Sequence, residues 1–301
     1  MENYSFARML RRCFKYTVWP VILYFFPKAA VSIYYKLLFG RFPDLRNPRS
    51  INEKLQVLKT GQYYNNPFVS DCIDKYKVKE VLAKHFKIKD LKYAALYAAF
   101  DSADELIARG FDELPEKFVI KCNHGGGYNF ICSDKNSIDK AELKKILTKW
   151  MKEEYWKVYA EYQYRFIRKK VFIEEFLENI GDTYKFYCFS GTPRFLYVSN
   201  PDAEGNPDVY IDYFDSDFNH LDVSLRHHLH STAEIKKPPQ FERMLEIAGV
   251  LSAPFPFVRV DLYTVGDSEI YFSELTFLPT AGYMDLTPPE AALQWGDFLN
   301  I

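Results

Sequence analysis

Three residues near the end of the chain have the types and spacing of a metal and phosphate site. Arg259 and Asp261 lie two positions apart in one apolar segment, and Glu274 lies in the next one. Residues i and i+2 of a strand share a face, so the first two project together. A turn at Gly266 folds the second segment back and brings Glu274 near Asp261. Two carboxylates suit Mg²⁺ and an arginine suits a phosphate oxygen, so we favour this interpretation over a structural ion network, which is costly to bury.

A second candidate site combines Lys121 with the glycine run at residues 125–127. The lysine ends an apolar segment, where its charge needs a partner. A glycine-rich hairpin lets backbone N–H groups approach phosphate oxygens closely. The chain has only 13 glycines in 301 residues, so three in succession are unusual. The pattern predicts a triphosphate held by one cation under a flexible flap, and the alternative is an edge-strand lysine beside a plain turn.

The segment 171–177, VFIEEFL, ends an apolar run with two acids. One interpretation is a strand edge that meets water, which these residues alone favour. The other is a hinge between domains, whose backbone binds the adenine edge of a nucleotide while an acidic side chain binds the ribose. Further sequence context has to decide between them.

Two other polar clusters are interpreted as surface loops. Asp215 and Asp217 match the Asp-x-Asp metal motif of many sugar-nucleotide transferases, but their acid-rich surroundings favour a solvated turn. A histidine cluster follows in the chain, with no cysteine nearby, and zinc would need a further ligand at a matched spacing. We interpret its members as polar loop residues: His227, His228 and His230.

Strands and turns have to position these groups, and the hydrophobic patterning predicts them. The predicted strands are 117–122, 128–132, 171–176, 184–190, 194–198, 209–214, 257–263 and 269–275. The predicted helices are 71–86, 137–151 and 241–251, with further helices in residues 1–60 broken at Pro20, Pro27 and 43–48. Antiparallel hairpins dominate, so the predicted fold class is α+β.

Composition limits the function classes. Aromatic residues make up 18% of the chain, which excludes a disordered protein. The formal net charge of −1 creates no global field for nucleic acid, so we expect no nucleic-acid partner. The five cysteines are odd in number and not closely paired, which favours reduced thiols and a cytoplasmic location.

The N-terminal region differs from the rest of the chain in charge. Seven basic residues and one acidic residue give residues 1–41 a net charge of +6, which leaves −7 for the remainder. Its longest uncharged run, 16–27, is shorter than the roughly 20 residues of a bilayer-spanning helix. Basic residues among Trp and Tyr suit peripheral contact with anionic lipid at the inner face of the membrane. An ordinary helical layer with a solvated basic face explains the pattern equally well.

Taken in order, the motifs are similar to the ATP-grasp superfamily. More narrowly, the sequence resembles the TupA-like ATP-grasp family, named for an enzyme of teichuronopeptide synthesis. The resemblance extends from about residue 45 to the C-terminus and rests on six blocks: 47–56, 74–76, 114–125, 184–191, 257–263 and 270–277. It implies an ATP-grasp fold, in which two α+β subdomains hold ATP between antiparallel sheets.

The resemblance also implies residue roles, with ATP and Mg²⁺ as cofactors. Lys75 and Lys121 contact the ATP phosphates, Asp261 and Glu274 ligate Mg²⁺, and Arg259 contacts the transferring phosphate. Glu174 to Leu177 line the adenine site, and Glu175 or Asp182 binds the ribose. The full set of further implied ATP contacts is His124, Gly125, Gly126, Gly127, Glu174, Glu175, Phe176, Leu177, Asp182 and Lys185.

Three positions depart from the pattern of the superfamily or of the narrower family. Thr276 stands where superfamily members usually have the third metal ligand, an asparagine; threonine is common there in the narrower family, and its hydroxyl is a weaker ligand. Thr183 replaces an aspartate, with an acid displaced to Asp182, and Ser273 replaces a glycine. The segment 199–205 lacks an arginine expected on the acceptor side.

Residue patterning and the resemblance together divide the chain into four predicted segments. Residues 1–60 form the helical, basic and aromatic N-terminal region, and 61–115 form a pre-ATP-grasp α/β segment. Residues 116–180 form the small lid subdomain with the glycine loop, and 181–301 form the C-terminal subdomain with the metal site.

The function implied is an ADP-forming carboxylate–amine ligase that acts through an acylphosphate. The family context implies a uronic acid of a cell-surface polysaccharide, free or lipid-linked, or an amino acid or peptide as a substrate. The alternatives are a metal-dependent glycosyltransferase that uses Asp215 and Asp217, and a non-catalytic, membrane-peripheral assembly protein. A protein kinase is excluded, because no G-x-G-x-x-G precedes Lys121 and no H-R-D or D-F-G follows it.

Overall fold

A computed structural model describes residues 17–200, 210–226, 228–231, 234–266 and 269–301. In this part of the chain, helices α1 to α9 are Trp19–Phe25, Pro27–Phe39, Ile51–Thr60, Pro67–Ile73, Val78–His85, Ala103–Arg109, Lys140–Lys152, Phe241–Ser252 and Ala291–Asp297. Strands β1 to β13 are Leu91–Lys92, Leu96–Phe100, Phe118–Cys122, Asn129–Cys132, Val171–Glu175, Ile180–Phe189, Thr192–Asn200, Tyr210–Asp215, His220–Leu221, Ser224–Leu225, Val258–Val265, Glu269–Thr276 and Leu286–Thr287. Short 3-10 turns are Lys135–Ser137, Tyr155–Lys157, Tyr162–Tyr164 and Pro279–Gly282. The predicted α+β class is confirmed, and each predicted strand overlaps an observed one.

The larger sheet has seven strands in the order β1-β12-β11-β6-β7-β8-β9, antiparallel except for β1 beside β12. Helix α8 packs against β11, β6 and β7 on one face, where Phe241 contacts Phe186. Val260 pairs with Phe186 in register and shares this covered face. Because side chains alternate along a strand, Arg259 and Asp261 project from the opposite face.

The smaller sheet has four antiparallel strands in the order β2-β5-β3-β4. Its own hydrophobic core includes Leu106 of α6 and Leu143 of α7. In β3 the buried residues Phe118 and Ile120 face that core. Lys121 therefore projects from the other face of the sheet, away from the helices.

The segment 61–115 contributes to both sheets. Its strand β1 lies at the edge of the larger sheet, and its strand β2 lies at the edge of the smaller one. The segment connects the two sheets and forms no separate sheet of its own within the described residues. The four predicted segment boundaries stay a prediction.

The predicted single helix 71–86 is wrong: the structure has two helices, α4 and α5. Asp74 lies between the two helices, and its Oδ1 accepts hydrogen bonds from the N–H groups of Tyr76 at 2.9 Å and Lys77 at 3.1 Å. An aspartate that bonds the backbone just after it forms a turn that competes with the helix. The interruption places Lys75 in a loop.

The N-terminal helices α1, α2 and α3 confirm the helical prediction for residues 17–60. Pro27 begins α2 as predicted, whereas Pro20 lies in the first turn of α1, where its missing N–H costs nothing. Residues 1–16 lie outside the described part of the chain. Among the described helices, none combines the length and the apolar character needed to cross a bilayer.

The described cysteines are buried and form no disulfide: Cys72, Cys122, Cys132 and Cys188. Burial raises the pKa of the Cys72, Cys122 and Cys188 thiols to about 12. These thiols are protonated at neutral pH and act as small core side chains. Cys13 lies outside the described residues.

Candidate active site

A cleft of about 570 Å³ lies between the two sheets. Four lysines and three carboxylates line it, which suits an anionic ligand accompanied by a cation. Eight of the residues predicted from the sequence are among its walls: Lys75, Lys121, Gly126, Gly127, Glu174, Lys185, Asp261 and Glu274. The fold thus brings together groups that are up to 199 positions apart in the sequence, from residue 75 to residue 274.

The β11–β12 hairpin positions the two carboxylates as predicted. Asp261 pairs with Glu274 in register, and the register then shifts so that Ser273 is the extra residue of a bulge. Arg259 donates from Nε to Asp261 Oδ1 at 2.7 Å and from Nη2 to Oδ2 at 2.6 Å. Its Nη2 also donates to Thr276 Oγ1 at 3.1 Å, and that hydroxyl donates to Glu274 Oε1 at 3.0 Å. The four side chains form one network.

The electrostatics of this network fit a divalent cation. Burial favours the protonated form of Glu274, but three neighbouring cations outweigh it and lower its pKa to about 2. Those cations are Lys75, Arg259 and Lys185. Burial raises the pKa of Asp261, although the Arg259 guanidinium opposes it. Asp261 and Glu274 both line the cleft, and paired carboxylate oxygens are the ligands that Mg²⁺ prefers, so the donor set fits that metal.

Arg259 and Thr276 hold the carboxylates without lining the cleft themselves. The Arg259 side chain is only 10% exposed, and its Nη1 donates to the Tyr197 hydroxyl at 3.3 Å. The predicted roles of Arg259 at the transferring phosphate and of Thr276 as a metal ligand stay predictions. In this structure both side chains orient the acids that face the cleft.

Lys121 forms an ion pair with Glu174 across the cleft wall. The second oxygen of Glu174 accepts a hydrogen bond from Lys79 Nζ at 3.0 Å. The Glu174 side chain is 8% exposed, so two cations compensate one buried carboxylate. Sequence reasoning missed Lys79, because a helical lysine that faces a cleft looks the same in the sequence as one that faces water.

Lys75 connects the glycine loop to the acid pair. Its Nζ donates to the Gly125 carbonyl oxygen at 2.9 Å and lies 3.4 Å from Glu274 Oε2. The side chain is 19% exposed and reaches into the cleft. This cation is therefore placed to neutralise charge at the point where the loop and the carboxylates meet.

Asn123 holds this arrangement in place, a role that the sequence did not assign. Its Nδ2 donates to Asp74 Oδ2 and to the Arg168 carbonyl, both at 2.9 Å. Its Oδ1 accepts from the Lys170 N–H at 2.7 Å. The residue is fully buried, and it ties the end of β3 to the loop that carries Lys75.

Two predicted ATP contacts do not line the cleft. The ring of His124 is buried, with Nε2 3.0 Å from the Trp150 carbonyl oxygen, and burial lowers its pKa to about 4. Asp182 projects from the face of β6 opposite to the cleft-lining Thr183 and hydrogen-bonds Tyr184. The structure therefore does not place these two side chains on the walls of the cleft.

The predicted adenine segment is only partly at the cleft. Glu174 lines it, whereas Glu175 alternates to the other side and accepts a hydrogen bond from the Ala95 N–H at 3.0 Å. Phe176 and Leu177 are half-buried beyond the end of β5 and do not line the cleft. The apolar walls of the cleft come instead from residues to which the sequence assigned no role: Val78, Ala94, Phe172, Ile180, Tyr263 and Phe272.

The Asp-x-Asp motif is a turn. Asp215 Oδ1 accepts hydrogen bonds from the N–H groups of Asp217 at 2.9 Å and Asn219 at 2.8 Å, and Oδ2 accepts from Asn219 Nδ2 at 2.9 Å. This confirms the solvated turn and engages the carboxylate that a glycosyltransferase would need for metal. His228 and His230 lie in a loop as predicted, and His227 lies outside the described residues.

A protein-family model described as TupA-like ATPgrasp matches residues 53–300. The match covers most of the chain and contains the whole cleft. The chain belongs to the TupA-like ATP-grasp family. The resemblance inferred from six sequence blocks is confirmed, and with it the predicted ATP-grasp fold. A search of curated proteins found no match.

Solved structures of more distant proteins are similar to this family member. D-alanine–D-alanine ligase from Bacillus anthracis, complexed with ATP, shares 15% identity over 77% of this chain and 65% of its own, with a TM-score of 0.42. L-amino acid ligase from Bacillus licheniformis shares 15% over 77% and 49%, with a TM-score of 0.39. The ATP-grasp ligase PsnB, with minimal precursor, Mg and ADP, shares 13% over 71% and 53%, with a TM-score of 0.37. The chain spans less than two thirds of the length of each.

The glycine loop provides a matched pair of substitutions. Gly125 is buried, and an added Cβ would lie 2.7 Å from ring atoms of Tyr128 and Tyr155. Gly126 is exposed at the cleft, where a Cβ would lie 3.0 Å from the Tyr155 hydroxyl. We expect Gly125→Ala to lower the unfolding free energy by about 1–3 kcal/mol through overpacking. Gly126→Val is expected to raise KM for ATP with a smaller loss of stability.

Thermal unfolding and ATP kinetics of the two variants test this expectation side by side. Equal losses of stability and of ATP affinity in Gly126→Val would mean that the loop is a structural turn and does not close over phosphates.

Proposed function

We propose that this TupA-like ATP-grasp protein is an ATP- and Mg²⁺-dependent ligase that joins a carboxylate to an amine. The observation that carries the proposal is the cleft between the two sheets, with four lysines and an acid pair on its walls. The lysines offset the charge of a triphosphate, and Asp261 with Glu274 offers oxygens to Mg²⁺. Membership of an ATP-grasp family supports the same nucleotide.

The chemistry follows from the poor reactivity of a carboxylate, which has no leaving group to offer an amine. In the proposed first step, a carboxylate oxygen bonds to the γ-phosphorus of ATP, and the bond to the β–γ bridging oxygen breaks. ADP and an acylphosphate result. In the second step the amine nitrogen bonds to the acyl carbon, phosphate leaves with the C–O bond electrons, and the nitrogen loses a proton to form the amide.

The protein contributes alignment and charge neutralisation. We assign Lys121 and Lys75 to the phosphates, because both ammonium groups line the cleft and approach it from different elements, a strand and a loop. Arg259 keeps Asp261 oriented toward the cleft and is our candidate for contact with the transferring phosphate. Mg²⁺, when bound by the two carboxylates, supplies further neutralisation of phosphate charge.

The apolar walls of the cleft support a purine site. Phe172 of the smaller sheet pairs with Lys121, and Tyr263 of the larger sheet shares a face with Asp261, so both rings line the cleft. Aromatic side chains on both walls of a cleft suit a flat, weakly polar ring. We propose that adenine lies between the sheets beside these rings, with the phosphates directed to Lys75 and, through Mg²⁺, to Glu274.

For the second substrate we propose a uronic acid or an amino acid of a bacterial cell-surface polysaccharide, such as capsule, O-antigen or teichuronopeptide. The acceptor would be a small molecule or a lipid-linked glycan. What supports this is the family context. The bulk of the chain is acidic, with −7 beyond residue 41, and therefore favours no polyanionic macromolecule as partner.

The decisive experiment measures ADP release with panels of uronic acids and amino acids as carboxylates and with separate amines. We expect release to require Mg²⁺ and a carboxylate, and amide to accumulate only when an amine is also present. Hydroxylamine in place of the amine is expected to trap the acylphosphate as a hydroxamate. ADP release that is independent of any carboxylate would contradict the ligase proposal.

We further propose that the N-terminal helices contact the membrane surface. Large apolar side chains are exposed on α1, on α2 and on the residues beside them: Val18, Val21, Phe25, Phe26, Leu37, Leu38 and Phe42. Phe25 and Leu37 are each 74% exposed, and Lys28 and Lys36 are exposed on α2. Apolar groups beside cations suit a surface of anionic lipid.

Sedimentation with vesicles tests this contact. We expect binding to phosphatidylglycerol vesicles and much weaker binding to phosphatidylcholine vesicles. The double variant Phe25→Ser with Leu37→Ser is expected to bind at least about tenfold more weakly, because each side chain contributes roughly 1.5–3 kcal/mol when fully buried. The control is Ile131→Ser, which removes a 64% exposed side chain from the smaller sheet. Equal binding to both lipids, or an equal loss in the control, would contradict the proposal.

A further inference from the structure

Three side chains from separate elements converge at one edge of the larger sheet. Asp212 lies on β8, His220 on β9, and His230 in the loop segment 228–231. His220 Nε2 is 3.2 Å from Asp212 Oδ1, and His230 Nδ1 is 2.9 Å from the same oxygen. The three ligand atoms all lie within 4.8 Å of one another.

The cluster is separate from the ATP cleft. Asp212 alternates along β8 with Tyr213, whose ring packs 5.4 Å from that of Tyr197 on the face that carries Arg259. Asp212 therefore projects from the opposite face of the sheet. A ligand at this cluster does not compete with the acid pair of the cleft.

The surroundings of the Asp212 carboxylate favour a bound cation. The Asp212 side chain is 6% exposed, and within the described residues no lysine or arginine forms an ion pair with it. Its Oδ2 accepts the Ser231 N–H at 2.9 Å, which fixes the carboxylate plane and directs Oδ1 to the two imidazoles. A buried carboxylate needs compensation for its charge, and a cation bound between it and the two imidazoles supplies that compensation.

The two nitrogen–oxygen separations fit a tetrahedral metal. Zinc binds imidazole nitrogen and carboxylate oxygen at about 2.0–2.1 Å, so two ligand atoms of a tetrahedral site lie about 3.3 Å apart. The two nitrogen–oxygen distances, 3.2 and 2.9 Å, need little change to reach that value. The imidazoles are 52% and 45% exposed, which leaves a fourth position open to water.

We propose that Asp212, His220 and His230 form a binding site for a divalent transition-metal ion, with zinc as the representative of the class. A metal here fastens the segment 228–231 to the sheet edge, where Tyr210 and Leu229 already form an isolated bridge. The ion therefore stabilises the loop and takes no part in phosphate chemistry.

Zinc titration of the full chain tests the site, with Mg²⁺ and ATP present in excess to occupy the cleft. We expect one zinc per chain with a Kd of about 1 μM or tighter, measured by competition with a chromophoric chelator. His220→Gln and His230→Gln are each expected to weaken binding at least about tenfold and to abolish the zinc-dependent rise in Tm. His228→Gln, which removes a histidine of the same loop outside the cluster, is expected to leave both unchanged.

Two further measurements distinguish zinc bound at this cluster from zinc bound in the cleft. Glu274→Gln is expected to bind zinc as tightly as the unsubstituted chain does. If this variant loses zinc binding and the histidine variants keep it, the ion lies in the cleft and the proposal is overturned. In the unsubstituted chain, zinc should protect His220 and His230, but not His85, from diethyl pyrocarbonate. An absence of protection, or of any binding at micromolar zinc, would likewise overturn it.

Discussion

Glu274→Gln is expected to lower kcat for carboxylate-dependent ADP formation by about 10³-fold, or roughly 4 kcal/mol of transition-state stabilisation. The substitution keeps the size and shape of the side chain and removes its charge. Because Lys75, Arg259 and Lys185 hold the pKa of Glu274 at about 2 against the effect of burial, the native group is fully ionised at neutral pH. The amide therefore removes a whole negative charge from the proposed Mg²⁺ site.

The same variant should need more Mg²⁺ for half-maximal rate, since a neutral amide oxygen is a poorer ligand than a carboxylate. Glu269→Gln is the matched control: it removes an acid from the same strand, where Glu269 pairs with Lys92 outside the cleft lining. We expect that control to retain full activity, and circular dichroism establishes that both variants fold. Full activity in Glu274→Gln would mean that Glu274 is not a metal ligand.

Lys121→Met is expected to lower kcat/KM for ATP by about 10²-fold, or roughly 2.7 kcal/mol. Methionine preserves the apolar stem in β3 and removes the ammonium group that lines the cleft. Folding should survive, because Glu174 keeps its hydrogen bond from Lys79 at 3.0 Å and is not left as an unpaired buried charge. The loss of kcat/KM then measures the contribution of the Lys121 ammonium group to binding the ATP phosphates.

Lys117→Met serves as the control for this second prediction. Lys117 precedes the same strand, is 47% exposed, and pairs with Glu178 on the surface. Surface pairs of this kind contribute about 0–1 kcal/mol, so we expect little change in stability and none in ATP kinetics. If the two methionine variants lose ATP affinity equally, the effect is one of general charge, and Lys121 has no specific contact with the nucleotide.

Short-range patterns in the sequence predict much of the fold and the metal hairpin. The β11–β12 hairpin depends on alternation along a strand and on one turn, both of which are local, so the sequence alone predicts that Asp261 and Glu274 are neighbours. The glycine loop is predictable for the same reason. Family membership then extends these local signals to a complete ATP-grasp fold.

Contacts between distant parts of the chain are not predictable in this way. The hydrogen bond of Asn123 to Asp74 spans 49 positions, and the pair of Lys79 with Glu174 spans 95 positions. In a single sequence, neither residue of such a pair indicates which residue its partner is. The family resemblance implies that His124 and Asp182 contact ATP, yet neither side chain lines the cleft.

Residue types and local spacing thus determine which chemistry this chain can offer: carboxylates for a cation, lysines for phosphates, and a glycine loop beside them. The tertiary structure decides which of these groups share one cleft, and it assembles the unrelated cluster of Asp212, His220 and His230 at another edge of the sheet. The physical reason is that a side chain's direction alternates with every residue of a strand. The face that it reaches depends on strand pairing and helix packing between segments that are far apart in the sequence.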